Sequence, residues 1–212
     1  PLIHEDGKDP SDLSRKDEIF VSNSGLVSIA GGKLTGYRKM AQRTIDTALT
    51  QFKKKKLQTL KSSATKKIQL TSYPFENTKA VIIYETNLNQ RLKQLGLDNK
   101  YLAWYLTSTY GRQADIILNK MNYFSSATPI ERLVRSELWY TVHHEMVNSL
   151  ADFFVRRTGR LYFDIHSIEQ FRHMVCEDLI KYLKWDEYRS DNENKYLDLL
   201  LADATTYYSN EF

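Results

Sequence analysis

Apolar positions along the chain change period between its two ends. Residues 18–22 (EIFVS) and 25–30 (GLVSIA) are short apolar runs separated by Asn23-Ser24, and read as two strands able to pair. Beyond Gly31-Gly32 and Lys33, the residues Tyr37, Met40, Ala41, Ile45, Ala48, Leu49 and Phe52 recur at the 3.6-residue spacing of one helix face. Residues 53–78 lose that pattern and turn to Lys, Ser, Thr and Gln, ending at Tyr73-Pro74-Phe75. From about residue 79 the helical period returns and persists. Val81, Tyr84, Leu88, Leu92 and Leu95 form a stripe that Gly96 stops, and Tyr101, Leu102, Tyr105 and Leu106 form the next, ahead of Gly111. Ala114, Ile117, Leu118 and Met121 mark a shorter helix.

Start signals punctuate the rest. Thr128-Pro129-Ile130-Glu131 combines an N-cap, a proline at the first helical position and a capping-box glutamate. Ser149 and Asp152 mark a weaker start, while Ser167-Ile168-Glu169-Gln170 and Ser190-Asp191-Asn192-Glu193 have the form of two more boxes. The fold class expected is mainly α: a C-terminal bundle of six or seven helices, preceded by a strand pair, a turn and a helix. The expected division is 1–52, a linker at 53–78, and a helical domain at 79–212.

Composition narrows the function classes. With 212 residues, 42% of them hydrophobic, the chain can bury a sizeable core. No apolar run reaches the roughly 18 residues that a membrane span needs. No signal peptide is visible, and a start at Pro1 points to a piece of a longer chain. The single cysteine, Cys176, excludes a disulfide framework, fits a reducing cytoplasm and reads as a packed thiol. Lys53, Lys54, Lys55, Lys56, Lys61, Lys66 and Lys67 lie in a stretch free of acids, and taking these seven from the net +4 leaves −3. The basicity is therefore local, which argues against nucleic acid. A solvated linker is the favoured reading; the alternative is a peripheral contact with acidic lipid at the inner face of the membrane.

Three tempting sites weaken when their spacing is checked. His143-His144-Glu145 begins an H-E-x-x-H pattern, but Asn148 stands where the second zinc ligand belongs. Asp191-Asn192-Glu193-Asn194 lacks the glycine and closing glutamate of a calcium loop. Neither supports a metal. Arg156-Arg157 could hold phosphate, but Asp152 and Arg156 are spaced as an i,i+4 pair, and Glu145 with Arg157 could complete a network that braces the bundle. That structural reading is preferred.

The stretch GLVSIAGGKLTGYRKMAQ carries the most chemistry. A strand that enters a helix through Gly31-Gly32 lets backbone approach a ligand, the helix start offers unpaired N–H groups, and Lys33 adds a full cation. The combination suits an anion or cofactor; a tight turn with a solvated lysine is the alternative. This stretch resembles the segment that closes the flavin-binding domain of FAD-dependent glycerol-3-phosphate dehydrogenases and oxidases. Pro1-Leu2, Ser14-Arg15-Lys16-Asp17, GGKLTGYR and Asp152-Phe153-Phe154-Val155-Arg156-Arg157-Thr158 follow that family in order.

The resemblance implies oxidation of glycerol 3-phosphate to dihydroxyacetone phosphate in glycerol catabolism, with FAD as cofactor in the full-length enzyme. Residues 1–52 would complete the FAD-binding α/β domain. Arg15 and Lys33 would bind substrate, and Gly31, Gly32, Lys33, Leu34 and Thr35 would contact the flavin. Gly36 stands where many members have a second threonine, which removes a hydroxyl from that position. The electron acceptor is quinone or oxygen. The short spacing from Leu2 to Ser14 leans toward the dehydrogenase over an oxidase that makes hydrogen peroxide. No G-x-G-x-x-G follows a strand anywhere, so the chain alone is expected to hold no FAD and to be inactive, the catalytic base lying elsewhere. The competing class is a non-enzymatic helical binding module with a basic linker.

Overall fold

The computed structural model describes residues 17–53, 61–124 and 127–206. Arg15 and Lys54 to Lys56 lie outside them. The chain divides into two compact units, Pro1–Ser72 and Tyr73–Phe212.

In the first unit, strands β1 (Asp17–Val21) and β2 (Val27–Gly31) form an antiparallel hairpin. Ile19 faces Ile29 and Val21 faces Val27 across the pair. The turn closes when Ser22 donates its N–H to the Leu26 carbonyl and Gly25 donates to Ser22, each at 2.9 Å. Gly25 takes φ +88°, a left-handed conformation that side chains resist. One face of the hairpin, with Ile19, Val27 and Ile29, is half-buried, while Phe20, Ser28 and Ala30 are exposed. Helix α1 (Tyr37–Lys53) follows a single 3₁₀ turn at Leu34–Gly36. Its apolar stripe is only partly covered: Tyr37 and Ile45 are each 59% exposed. Among the described residues, no hydrophobic side chain ahead of Leu88 is buried. A two-stranded hairpin and one helix are too little to enclose an interior by themselves.

The second unit is the helical bundle. Its α-helices, among the described residues, are α2 (Thr78–Gln94), α3 (Lys100–Tyr110), α4 (Ala114–Lys120), α5 (Pro129–His144), the single turn α6 (Arg160–Phe163), α7 (Ile165–Leu183) and α8 (Glu187–Thr205). This bundle and the hairpin that precedes it match the expected fold class. Helix α2 stops as expected at Gly96, where Leu97 donates to the Leu92 carbonyl and Gly96 to that of Lys93. This is the Schellman closure, and it needs the positive φ of +86° that Gly96 supplies. At the start of α5, Glu131 donates its N–H to Thr128 Oγ1 at 3.4 Å and its carboxylate accepts from the Thr128 N–H at 2.8 Å, completing the capping box.

Helix α5 is the spine. Leu133 and Tyr140 belong to one hydrophobic cluster with α2, α3 and α4, whereas Val134 and Leu138 belong to another with α6, α7 and α8. Burial on two sides also draws polar residues inside, and Ser136, Glu137 and Thr141 on this helix are buried.

Two starts differ from expectation. Helix α7 begins at Ile165, so Ser167 lies inside it and donates its hydroxyl to the Asp164 carbonyl at 2.7 Å instead of capping. Helix α8 begins at Glu187 with Asp186 as its cap, whose carboxylate accepts from the Arg189 N–H at 2.7 Å. The cause is Lys184, which turns left-handed at φ 55° and ends α7, leaving only Trp185 before the cap. A third departure follows the Ser149 start: Asp152–Arg157 is wound as a π-helix. Thr158 seals it by donating both its N–H, at 3.0 Å, and its hydroxyl, at 2.8 Å, to the Phe153 carbonyl. Phe153 and Phe154 are thereby both turned fully into the core.

Candidate functional site

The site begins where β2 runs out. Gly31 at φ +78° and Gly32 at φ +86° swing the chain away from the hairpin, and Lys33 returns to an extended conformation. Gly36 then donates to the Lys33 carbonyl at 2.8 Å, which closes the 3₁₀ turn and points the chain into α1. Both glycines sit in a region of φ that an L side chain enters only at a cost of about 1–2 kcal/mol. Gly32 has a second reason to lack a side chain. A Cβ there would meet Met40 Sδ at 2.8 Å and Asp17 Cβ at 3.2 Å.

Lys33, Leu34 and Thr35 are exposed, Leu34 to 89%. No described residue accepts a hydrogen bond from the backbone N–H of Leu34 or Thr35. The turn is therefore a ledge that presents one ammonium group and two amides without a described acceptor, beside a pair of glycines that carry no side chain. Such a ledge suits an electron-rich planar edge or an oxyanion. The five residues picked out from sequence, Gly31 to Thr35, are contiguous on this ledge. The hairpin is tied to the helix that follows it: Asp17, opposite Gly31 on β1, accepts from Arg43 on α1.

The other candidates serve the bundle. Arg156 donates to Asp152 at 2.7 Å, and Arg157 donates Nε and Nη2 to the Glu145 backbone carbonyl at 3.1 and 2.7 Å. The π-helical winding thus braces the loop after α5. Burial pushes the Glu145 carboxyl up despite the Arg157 charge beside it. His143 stacks on Trp139 with 4.8 Å between ring centroids, and His144 stacks on Tyr140 at the same separation. Among the described residues no three His, Cys, Asp or Glu side chains gather as metal ligands. Cys176 is buried and takes a hydrogen bond from Asn194 Nδ2 at 3.3 Å.

One polar cluster was missed from sequence. Glu137 on α5 is 1% exposed and accepts from the hydroxyls of Tyr105 and Tyr110. Arg160 Nη2 donates to it at 3.0 Å and Arg160 Nη1 donates to Ser167 Oγ at 3.1 Å. Burial, and then the Glu137 charge, push both tyrosine hydroxyls well above their ordinary range. The signal that could have found it is Glu137 falling one helical turn after Leu133 on the buried face of α5. With every carboxylate oxygen engaged, this cluster holds helices together and offers no open position for a substrate.

A hairpin that passes through paired left-handed glycines into a helix, followed by a helical bundle, defines an α/β segment joined to an all-α domain. The chain belongs to the family described as the C-terminal domain of alpha-glycerophosphate oxidase, which matches residues 63–190. It is 36% identical over 209 residues to the aerobic glycerol-3-phosphate dehydrogenase of Bacillus subtilis (strain 168), covering 96% of this chain and 37% of that protein. The enzyme of the same name from Staphylococcus haemolyticus is 36% identical over 208 residues, with 97% and 37% covered. A solved structure of the glycerol-3-phosphate dehydrogenase from Bacillus halodurans complexed with FAD superposes with a TM-score of 0.72 at 31% identity, over 91% of this chain and 39% of that one. The chain thus spans little more than a third of the length of these relatives. No described helix is long and apolar enough to cross a membrane.

Proposed function

We propose that this chain is the C-terminal portion of an FAD-dependent glycerol-3-phosphate dehydrogenase that oxidises glycerol 3-phosphate to dihydroxyacetone phosphate. In this reading residues 1–52 finish the flavin and substrate domain, 53–78 link, and 79–212 form a helical cap. The observation that carries it is the ledge after β2, where Gly31 and Gly32 are both left-handed and Lys33 stands exposed. The residues present fit a flavin edge: exposed backbone amides at Leu34 and Thr35 without described acceptors, next to two glycines that carry no side chain. FAD, when bound, supplies the acceptor for the hydride removed from the secondary alcohol.

This chain's own groups do the rest. Lys33 holds the substrate phosphate dianion by a charge-assisted contact, and Arg15 shares that charge. The N–H groups of Leu34 and Thr35 face the electron-rich side of the cofactor and stabilise negative charge there. The names of the relatives support a dehydrogenase over an oxidase.

Lys33→Ala in the full-length enzyme tests the reading. Loss of one charge-assisted contact costs about 1.5–3 kcal/mol, roughly ten- to 150-fold in kcat/KM. The loss is expected with glycerol 3-phosphate and not with glycerol, which has no phosphate. Equal loss on both substrates would move Lys33 to the flavin, and no loss on either would return it to solvent and defeat the proposal.

A further inference from the structure

Among the described residues, no hydrophobic side chain beneath the ledge that carries Lys33 is fully buried, so other contacts have to hold its shape. Two contacts in the first unit converge on Gly32. Met40, one turn into α1, lies directly under it, at 2.8 Å from where a Cβ would be. Asp17 flanks it, with its own Cβ 3.2 Å from that point. Asp17 is fixed twice: by backbone register opposite Gly31, and by its carboxylate, which accepts from Arg43 on α1. Thus β1 and α1 meet the glycine turn from two sides, and Arg43 to Asp17 is the one side-chain ion pair among the described residues that joins them.

We propose that Arg43 is a positioning residue for the Lys33 site: by holding Asp17 against α1 it sets the direction in which the Gly31-Gly32 turn delivers Lys33. Arg43 does not touch the substrate and acts only through this geometry. The inference rests on the assignment of Lys33 to the substrate phosphate.

As a stability element the pair is modest, because Arg43 is 47% and Asp17 22% exposed and such pairs contribute little to folding. Its leverage lies in orientation. A misplacement of about 1 Å at a reacting group can cost about a hundredfold in rate, while a solvent-exposed ion pair is worth only a few-fold. Arg43→Ala is expected between these limits, about tenfold.

The experiment uses full-length enzyme carrying Arg43→Ala, Arg43→Lys, Asp17→Asn, or Asp17→Asn with Arg43→Ala, each assayed with glycerol 3-phosphate and with glycerol. Arg43→Ala and Asp17→Asn should each raise KM for glycerol 3-phosphate about tenfold with a smaller change in kcat. Flavin content and melting temperature should stay near those of the parent, and glycerol turnover should be little affected. The double variant should be no worse than either single one, because both remove the same clamp. Arg43→Lys should recover most of the loss and keeps the test open if Arg43→Ala folds poorly. Additive losses in the double variant, equal losses on both substrates, or unchanged KM would each overturn the proposal. Lys33→Ala measured alongside separates the two ideas. If it shows the phosphate-selective loss and Arg43→Ala does not, the clamp fails alone; if Lys33→Ala shows none, the substrate assignment fails first.

Discussion

Glu193 on α8 accepts the backbone N–H of Leu150 at 3.0 Å, a carboxylate capping a turn 43 residues earlier in the chain. Both partners are buried, and the second carboxylate oxygen pairs with Arg189 at 2.7 Å. Glu193→Ala would leave a buried N–H unpaired at the mouth of the π-helical segment. The expected loss is about 1–3 kcal/mol. Chemical denaturation of the chain should show it as a shift in midpoint with the slope unchanged.

Removing Glu137 should be more damaging. Arg160 would be left interior without its carboxylate, and the Tyr105 and Tyr110 hydroxyls would lose their acceptor. Breaking a buried pair from one side typically costs about 3–5 kcal/mol. Glu137→Ala with Arg160→Met should recover part of that loss, since no charge then stays stranded; thermal melts of the two variants test the order.

Asp152 links stability to pH. Burial pushes its carboxyl up, but hydrogen bonds from the Asn148 N–H, Ser149 and Arg156 outweigh this and hold it below the usual value of 3.8. A lowered carboxyl pKa stabilises the fold above the unfolded value, and that contribution is lost as pH falls through the folded one. Asp152→Asn should therefore weaken the chain at pH 7, by about 1 kcal/mol. Its melting temperature should also fall less steeply than the parent's below pH 3.8. Parallel melting curves would refute the assignment.

Two glycines with nearly the same φ should respond differently. Gly25 at +88° has nothing within 4 Å of the point a Cβ would occupy, whereas Gly32 at +86° has Met40 Sδ at 2.8 Å. Alanine at either site meets the left-handed penalty of about 1–2 kcal/mol. Only Gly32→Ala should also displace Met40 and lower kcat/KM for glycerol 3-phosphate in the full-length enzyme; Gly25→Ala should leave kcat/KM within about twofold of the parent.

What could be read from sequence was whatever is decided locally. Gly96 and the Thr128–Glu131 box act within a few residues, and both do in the fold what their spacing says. The box spacing misled at Ser167 (S-x-x-Q) and Ser190 (S-x-x-E), because α7 already begins at Ile165 and Asp186 caps α8 upstream of Ser190. The π-helical turn at Asp152–Arg157, which seats Phe153 and Phe154 together in the core, has no sequence period of its own. At the candidate site, the paired glycines and Lys33 were legible from chain order. The Arg43–Asp17 pair was not, since 26 residues separate partners that only the hairpin and helix bring together. Glu137 was passed over for a related reason: an acid on a helix is expected in water, and only its two tyrosines and Arg160 make an interior place for it.

The absence of any buried hydrophobic residue ahead of Leu88 among the described residues decides what a melting curve of this chain can report. Denaturant slope and heat-capacity change both scale with apolar surface released on unfolding. Among the described residues every fully buried apolar side chain belongs to the bundle, so calorimetry on this chain is dominated by the bundle and reports less on the hairpin and its ledge. A substitution at Gly32, Lys33 or Arg43 alters the turn more than it alters the thermogram. Those positions have to be followed by local probes, such as amide exchange at Leu34 and Thr35, or by activity in the full-length enzyme.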